Sequence, residues 1–144
     1  MPLSTAPSGI DLTNPPGKFI LFGEDDPDDE EILREIFQTV DKRFTISFQN
    51  TGRKLITALE SMSDNELPCL VVLDYNMPEL NGAEILRALQ QNPRYDSIPK
   101  LIWSTSGSET FKSTCLALGA EEYFIKPSSV SELTQLANRM LHFC

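Results

Sequence analysis

A chain of 144 residues, 40% hydrophobic and 23% charged, has the length of one domain and enough apolar side chains to bury a core. Its net charge of -9, from 12 basic and 21 acidic residues, excludes broad electrostatic binding to a nucleic-acid backbone, which needs clustered Lys and Arg. The same charge suits a cationic partner or a bound metal, and it also serves solubility alone. No run approaches 18 apolar residues and no basic-then-apolar leader opens the chain, so neither a membrane span nor secretion is expected, and the expected location is cytoplasmic. The three cysteines, Cys69, Cys115 and Cys144, are odd in number and widely spaced. They read as small buried hydrophobes and a terminal thiol in a reducing compartment, with neither a disulfide framework nor a zinc site.

Residues 1–17 hold four prolines with Ser, Thr and Gly, and are expected to form a disordered tail ahead of a domain over 18–144. Phe19-Ile20-Leu21-Phe22 is the first apolar run and ends in Glu24-Asp25-Asp26. Asp26-Pro27-Asp28-Asp29 opens a helix, with Asp at the N-cap, Pro at the first position and acids facing the positive dipole end. That helix should run to about Val40 and bury Ile32, Ile36, Phe37 and Val40. Phe44 to Gln49 alternates apolar and polar, the pattern of a half-exposed edge strand. A helix from about Gly52 to Met62 follows, with Leu55, Ile56 and Leu59 inward.

Cys69-Leu70-Val71-Val72-Leu73 is an unbroken apolar run, as in a strand buried on both faces of a parallel sheet, and it stops abruptly at Asp74. Asn81-Gly82-Ala83-Glu84 starts the next helix with an N-cap and an acid at N3, and Ile85, Leu86 and Leu89 face inward to about Gln91. Lys100 to Trp103 is a strand ending at Ser104-Thr105. Ser106-Gly107-Ser108-Glu109 has capping-box spacing for a helix through Leu118. Glu122 to Ile125 is a short strand ending at Lys126-Pro127, and Ser129 caps a last helix that buries Leu133, Leu136, Ala137 and Met140. Five strand-helix units, (βα)5, predict an α/β fold: a three-layer, doubly wound parallel sheet.

In such a sheet, ligands gather beyond the carboxyl ends of the strands. Four strands end in polar groups, namely Glu24-Asp25, Asp74, Ser104 and Lys126. Each alone has a bland reading: a solvated charge run, a turn-opening Asp, a capping hydroxyl, a surface lysine. All four ending strands on one edge is harder to ascribe to accident. Three converging carboxylates repel one another unless a cation intervenes, and hard oxygen ligands suit Mg²⁺. A metal there could neutralise an incoming phosphoryl group, with Lys126 and Ser104 as donors and Asp74 as the nucleophile.

With GEDDPDD at Gly23 to Asp29, VVLDYNMPELNG at Val71 to Gly82, WSTS at Trp103 to Ser106 and YFIKPSS at Tyr123 to Ser129, the chain resembles the receiver domain of bacterial two-component response regulators. The match spans about Lys18 to Cys144. The resemblance implies a flavodoxin-like sheet of strand order 2-1-3-4-5, the order for which a chemotaxis receiver is the standard example; the alternating edge strand agrees. It also implies roles. Asp74 is the phosphoacceptor, Asp25 a direct Mg²⁺ ligand, Glu24 its partner acting through water, and Asn76 a metal ligand through its backbone carbonyl. Ser104 is the switch hydroxyl, Lys126 the conserved-role lysine and Tyr123 the aromatic switch.

The implied protein is no enzyme in its own right but a signalling phosphoacceptor that assists its own phosphorylation and dephosphorylation. The implied partners are a sensor histidine kinase or a phosphotransfer protein, and a downstream protein docking on the last two helices and the strand between them. Neither nucleic acid nor membrane is an expected partner. The chain ends about one helix after Lys126, which suggests a stand-alone receiver. Departures from the pattern are Glu24 for the commoner Asp, bulky Trp103 before the switch hydroxyl, and Ser128 after the Lys-Pro pair where Phe is frequent.

Other classes share the architecture. A flavin binder of this fold should have a Ser, Thr and Gly-rich first loop to cradle phosphate, where this chain has acids. An Asp-nucleophile phosphatase usually has a second acid two residues on, where this chain has Asn76. A degenerate receiver acting as a phosphorylation-independent scaffold is opposed by intact Asp74, Ser104 and Lys126.

Overall fold

The computed structural model describes residues 19–144. The expected tail over 1–17, and its boundary at Lys18, lie outside the described residues. The elements are β1 (Phe19–Gly23), α1 (Pro27–Val40), β2 (Thr45–Gln49), α2 (Gly52–Ser61), β3 (Leu70–Asp74), α3 (Gly82–Gln90), β4 (Lys100–Ser104), α4 (Glu109–Ala117), β5 (Glu122–Ile125) and α5 (Val130–Leu141). The strands form one parallel sheet in the order β2-β1-β3-β4-β5.

Alternating side chains of the central strands feed two apolar layers. Leu21, Val71, Leu73 and Ile102 meet Leu55 and Leu59 of α2, Ile85, Leu86 and Leu89 of α3 and Cys115 of α4. Ile20, Phe22, Leu70, Val72, Leu101 and Trp103 meet Leu33, Ile36 and Phe37 of α1 and Leu133, Leu136, Ala137 and Met140 of α5. This is the doubly wound three-layer arrangement. Every residue of β3 is buried, as its unbroken apolar run requires, while edge strand β2 alternates exposed Thr45 and Ser47 with half-buried Ile46 and Phe48.

Local chemistry sets the helix starts. Asp26 accepts a hydrogen bond from the Asp28 amide at 2.8 Å. Asn81 and Glu84 form a reciprocal capping box, both bonds 2.9 Å. Ser129 accepts from the Glu132 amide at 3.1 Å. Each satisfies amides that a helix N-terminus leaves unpaired.

Three sequence expectations are corrected. On α1 the buried stripe is Leu33, Ile36 and Phe37; Ile32 is 37% exposed and Val40 half-buried, because Ile32 sits on the flank of the stripe that Leu33 centres. The cap of α4 is Ser108, which accepts from the Phe111 amide at 3.2 Å, and no capping box forms from Ser106. The Ser106 hydroxyl is engaged one turn earlier, accepting from the Ser108 amide at 3.2 Å. Finally, Cys69 and Cys144 form a disulfide, with Cα atoms 5.1 Å apart. After α5 the chain turns back, Cys144 donating its amide to Leu141 O at 3.1 Å, which brings the terminus to the entrance of β3. Their separation of 75 residues carried no sequence signal for the pair. Cys115 is buried as expected, and burial pushes its thiol up to about 11.

Candidate functional site

The carboxyl ends of β1, β3, β4 and β5 converge on Lys126. Its ammonium lies 2.9 Å from Asp74 Oδ2, 3.1 Å from Glu24 Oε1 and 3.0 Å from Asp29 Oδ2. Parallel register places the groups there: Asp74, last in β3, pairs with Trp103, and the Lys126 amide donates to Ser104 O at 2.8 Å. The other Asp74 oxygen, Oδ1, accepts from the Asn76 amide at 3.0 Å. Glu24 Oε2 accepts from the Asp26 amide at 3.0 Å. Asp74 and Glu24 are buried, 4% and 1% exposed, whereas Asp25 is exposed.

The loop after Asp74 is pinned from several sides. Gly52 donates its amide to Pro78 O at 3.1 Å, and Gly82 donates to Tyr75 O at 2.8 Å. A Cβ at Gly82 would lie 3.1 Å from Tyr75 Cα, so the absence of a side chain lets α3 start close to the loop. Glu79 holds φ at 70°, a left-handed conformation costing a non-glycine residue roughly 1–2 kcal/mol. The Tyr75 ring stacks on Phe111 of α4, with centroids 4.3 Å apart.

Buried carboxylates outnumber the ammonium. Burial pushes Glu24 up to about 8; the Asp26 amide and Lys126 oppose that rise and the Asp74 charge adds to it. Burial pulls Lys126 down, but its hydrogen bonds to Asp74 and Asp29 and the charges of Glu24 and Asp74 outweigh it and hold it above the usual lysine range. Glu24 is thus the carboxyl through which the site sheds its surplus negative charge, by holding a proton. Ligand oxygens of Glu24, Asp25 and Asp74 lie within 4.8 Å of one another. An all-oxygen donor set, with one member pushed toward protonation for want of positive charge, fits a hard divalent cation.

A family model described as the response regulator receiver domain matches residues 20–138. The chain belongs to this family. The two-component response regulator ORR5 of Oryza sativa subsp. japonica is 28% identical over 116 residues, 79% of this chain and 84% of that protein. ORR11 of Oryza sativa subsp. indica is 29% identical over 122 residues, covering 85% and 80%. The family is therefore not confined to bacteria. Among solved structures, the phosphorylated cyanobacterial phytochrome response regulator RcpA superposes with a TM-score of 0.79 at 24% identity, covering 88% of this chain and 92% of that one, and supports the fold. The Mn(2+)-bound form of response regulator Rcp1 gives a TM-score of 0.73 at 26% identity, covering 85% and 90%.

In this receiver domain, Glu24, Asp25, Asp74 and Lys126 come together as the strand ends implied. Asn76 is exposed and touches Asp74 through its amide. Ser104 is fully buried, and its hydroxyl oxygen accepts from the Ser106 amide at 3.0 Å. Tyr123 is half-buried, and its hydroxyl donates to Ser106 O at 2.8 Å. Two neighbours were missed. Asp29 pairs with Lys126, though its sequence position suggested only a first-turn acid of α1. Its place at N3 of a helix starting at the site was the available signal. Trp103 lies beneath the same ammonium, whose Nζ is 4.6 Å from its ring centroid.

Proposed function

We propose that this receiver domain takes a phosphoryl group from a histidine kinase or a phosphotransfer protein onto Asp74, in a Mg²⁺-dependent reaction, and signals by a change of conformation. The carrying observation is the buried Asp74 carboxylate, held at one oxygen by the Asn76 amide and at the other by Lys126, beside Glu24 and Asp25. A carboxylate oxygen of Asp74 forms the bond to phosphorus as the donor's P–N or P–O bond breaks, releasing the histidine side chain or, from acetyl phosphate, acetate. The pinned loop keeps that carboxylate oriented. Lys126 then has a phosphoryl oxygen within reach as a new acceptor, and Ser104 can turn its proton toward another. Glu24, Asp25, Asp74 and the Asn76 carbonyl would hold Mg²⁺, which when bound neutralises charge on the transferring group. The Mn(2+)-bound Rcp1 and phosphorylated RcpA lend support by likeness. The protein acts as a signalling module rather than a turnover catalyst. The cytoplasm is its proposed location, since a kinase presents its phosphoryl group there; cell fractionation checks this.

With Mg²⁺ and acetyl phosphate, intact-mass spectrometry should show one added phosphoryl group, stable to acid and labile to base, that disappears in Asp74→Asn. Labelling that persists elsewhere in that variant would sink the assignment. No labelling of the wild type would favour a phosphorylation-independent scaffold.

Metal affinity should respond unequally to the two neighbouring acids. Exposed Asp25 is free to take an inner position, whereas Glu24 is already held by the Asp26 amide and Lys126. Asp25→Ala should weaken Mg²⁺ binding, followed by Trp103 fluorescence, by a larger factor than Glu24→Ala; equal losses would reverse that reading. Because a cation displaces the proton on Glu24, apparent affinity should rise with pH and level off near 8.

Output is proposed on the face of α4, β5 and α5. A phosphoryl group that attracts the Ser104 hydroxyl would pull on Ser106, whose amide and carbonyl bond Ser104 and Tyr123. NMR of the beryllofluoride-Mg²⁺ complex should show Tyr123 shift changes that vanish in Ser104→Ala. Changes confined to the loops around Asp74 would refute the coupling.

A further inference from the structure

We propose that Trp103 is a positioning residue for Lys126, its indole face holding the ammonium at the phosphoacceptor while the ammonium changes partners. This rests on the phosphoacceptor reading given above. Lys126 Nζ lies over the Trp103 ring, 4.6 Å from its centroid, inside the range of a cation–π attraction that strengthens when desolvated. Here it is desolvated: Trp103 is 2% exposed and the Lys126 side chain 12%. The three hydrogens of the ammonium go to Asp74, Glu24 and Asp29. Two of those acceptors are also the groups proposed to engage phosphoryl and cation, so both are drawn away when the site works. Asp29 stands at the more open side, its side chain 31% exposed. The indole face neither carries charge nor can ligate a metal, so this contact persists through the exchange.

Packing alone does not account for an indole here. Trp103 Nε1 is buried with no hydrogen-bond partner, a cost that a phenylalanine at the same place would not carry. Phe22 and Phe124 already share its apolar layer, and Phe22 meets it edge-on at 6.4 Å. What the indole adds over a benzyl ring is the stronger π face for a cation. The rigid β4 register fixes it, one residue before Ser104 and directly across from Asp74 on β3.

Three measurements test this. In saturating Mg²⁺ and acetyl phosphate, Trp103→Phe should slow phosphorylation about threefold and Trp103→Leu about tenfold, with Mg²⁺ affinity unchanged within about twofold. In metal-free protein, Trp103 is the sole tryptophan, so Lys126→Met should shift its emission. In a double-mutant cycle read by urea unfolding, Trp103→Phe and Lys126→Met should be non-additive, whereas a filler residue would give additive losses. Wild-type phosphorylation rates in folded Trp103→Phe and Trp103→Leu, with an additive cycle, would overturn the proposal while leaving the phosphoacceptor reading intact if Lys126→Met is slow. A Lys126→Met protein phosphorylated at the wild-type rate would overturn both. Should Trp103→Leu fail to fold, the Trp103→Phe rate, the emission shift and the cycle still decide.

Discussion

Lys126→Met should destabilise the metal-free protein by roughly 3–5 kcal/mol at pH 8, the range found when one partner of a buried ion pair is removed and the other charges are left behind. The carboxyl groups left behind are Glu24, whose side chain is fully buried, Asp74 at 6% exposed and Asp29. Acid should soften the loss. In the wild type, burial has already raised Glu24 to about 8 from an ordinary 4.5, so the folded state holds more protons than the unfolded chain between those values. That contribution to stability is complete below 4.5 and disappears as pH rises through 8. Without Lys126, whose charge and hydrogen bond lower the Glu24 value, the window extends further upward. Between the wild-type value near 8 and the variant's higher one, only the variant still holds that proton, so it should lie closer to wild type at pH 7 than at pH 9. Urea unfolding at the two pH values measures this, and Mg²⁺ should recover part of the loss at pH 8 by supplying the missing positive charge. A loss independent of both pH and Mg²⁺ would mean that packing, and not charge, sets the role of Lys126 in stability.

The local parts of this arrangement were legible in the sequence because short-range chemistry decides them. An apolar run that stops at an Asp became a fully buried strand with that Asp at its end. Asp26 before Pro27, Asn81 before Glu84 and Ser129 before Glu132 each became a helix cap. The alternation of Phe44 to Gln49 foretold the edge strand, with its first residue outside β2. Convergence of Glu24, Asp74 and Lys126 followed once all strands ran parallel, because their ends then share one edge.

What escaped depended on distances the sequence does not encode. Asp29 and Lys126 are 97 residues apart, and only the docking of α1's first turn over the sheet edge brings them together. In the sequence Trp103 is only a bulky neighbour of the switch hydroxyl, yet strand alternation sends it to the opposite apolar layer, under Lys126. The cap of α4 was misplaced because Ser104, Ser106 and Ser108 compete for the same amides, and the hydroxyls of Ser104 and Ser106 bond two residues ahead before the helix begins.

Opening the Cys69–Cys144 bridge should cost about 4 kcal/mol of unfolding free energy, with little effect on phosphorylation. In the chain-entropy account, a link across 75 residues removes a large share of the unfolded chain's freedom, and reduction restores it. The bridge joins the entrance of β3 to the end of α5, whereas Asp74 is the last residue of β3, so the two sites occupy opposite edges of the sheet. Guanidinium unfolding with and without dithiothreitol gives the stability difference. Cys144→Ser should match the reduced wild type and ignore the reductant. Buried Cys115, with its thiol pushed up to about 11, stays largely protonated and supplies no competing thiolate near neutral pH. Acetyl phosphate labelling of Asp74 should proceed at similar rates in oxidised and reduced protein, since the bridge lies at the other end of β3 from Asp74. Disulfides are rare in the reducing cytosol, so the proposed location sets this bridge against its surroundings. Alkylation of free thiols before lysis, followed by mass spectrometry, reads its state in the cell. A wild-type unfolding midpoint that does not move on reduction would show that α5 holds its place by the packing of Leu133, Leu136, Ala137 and Met140 alone.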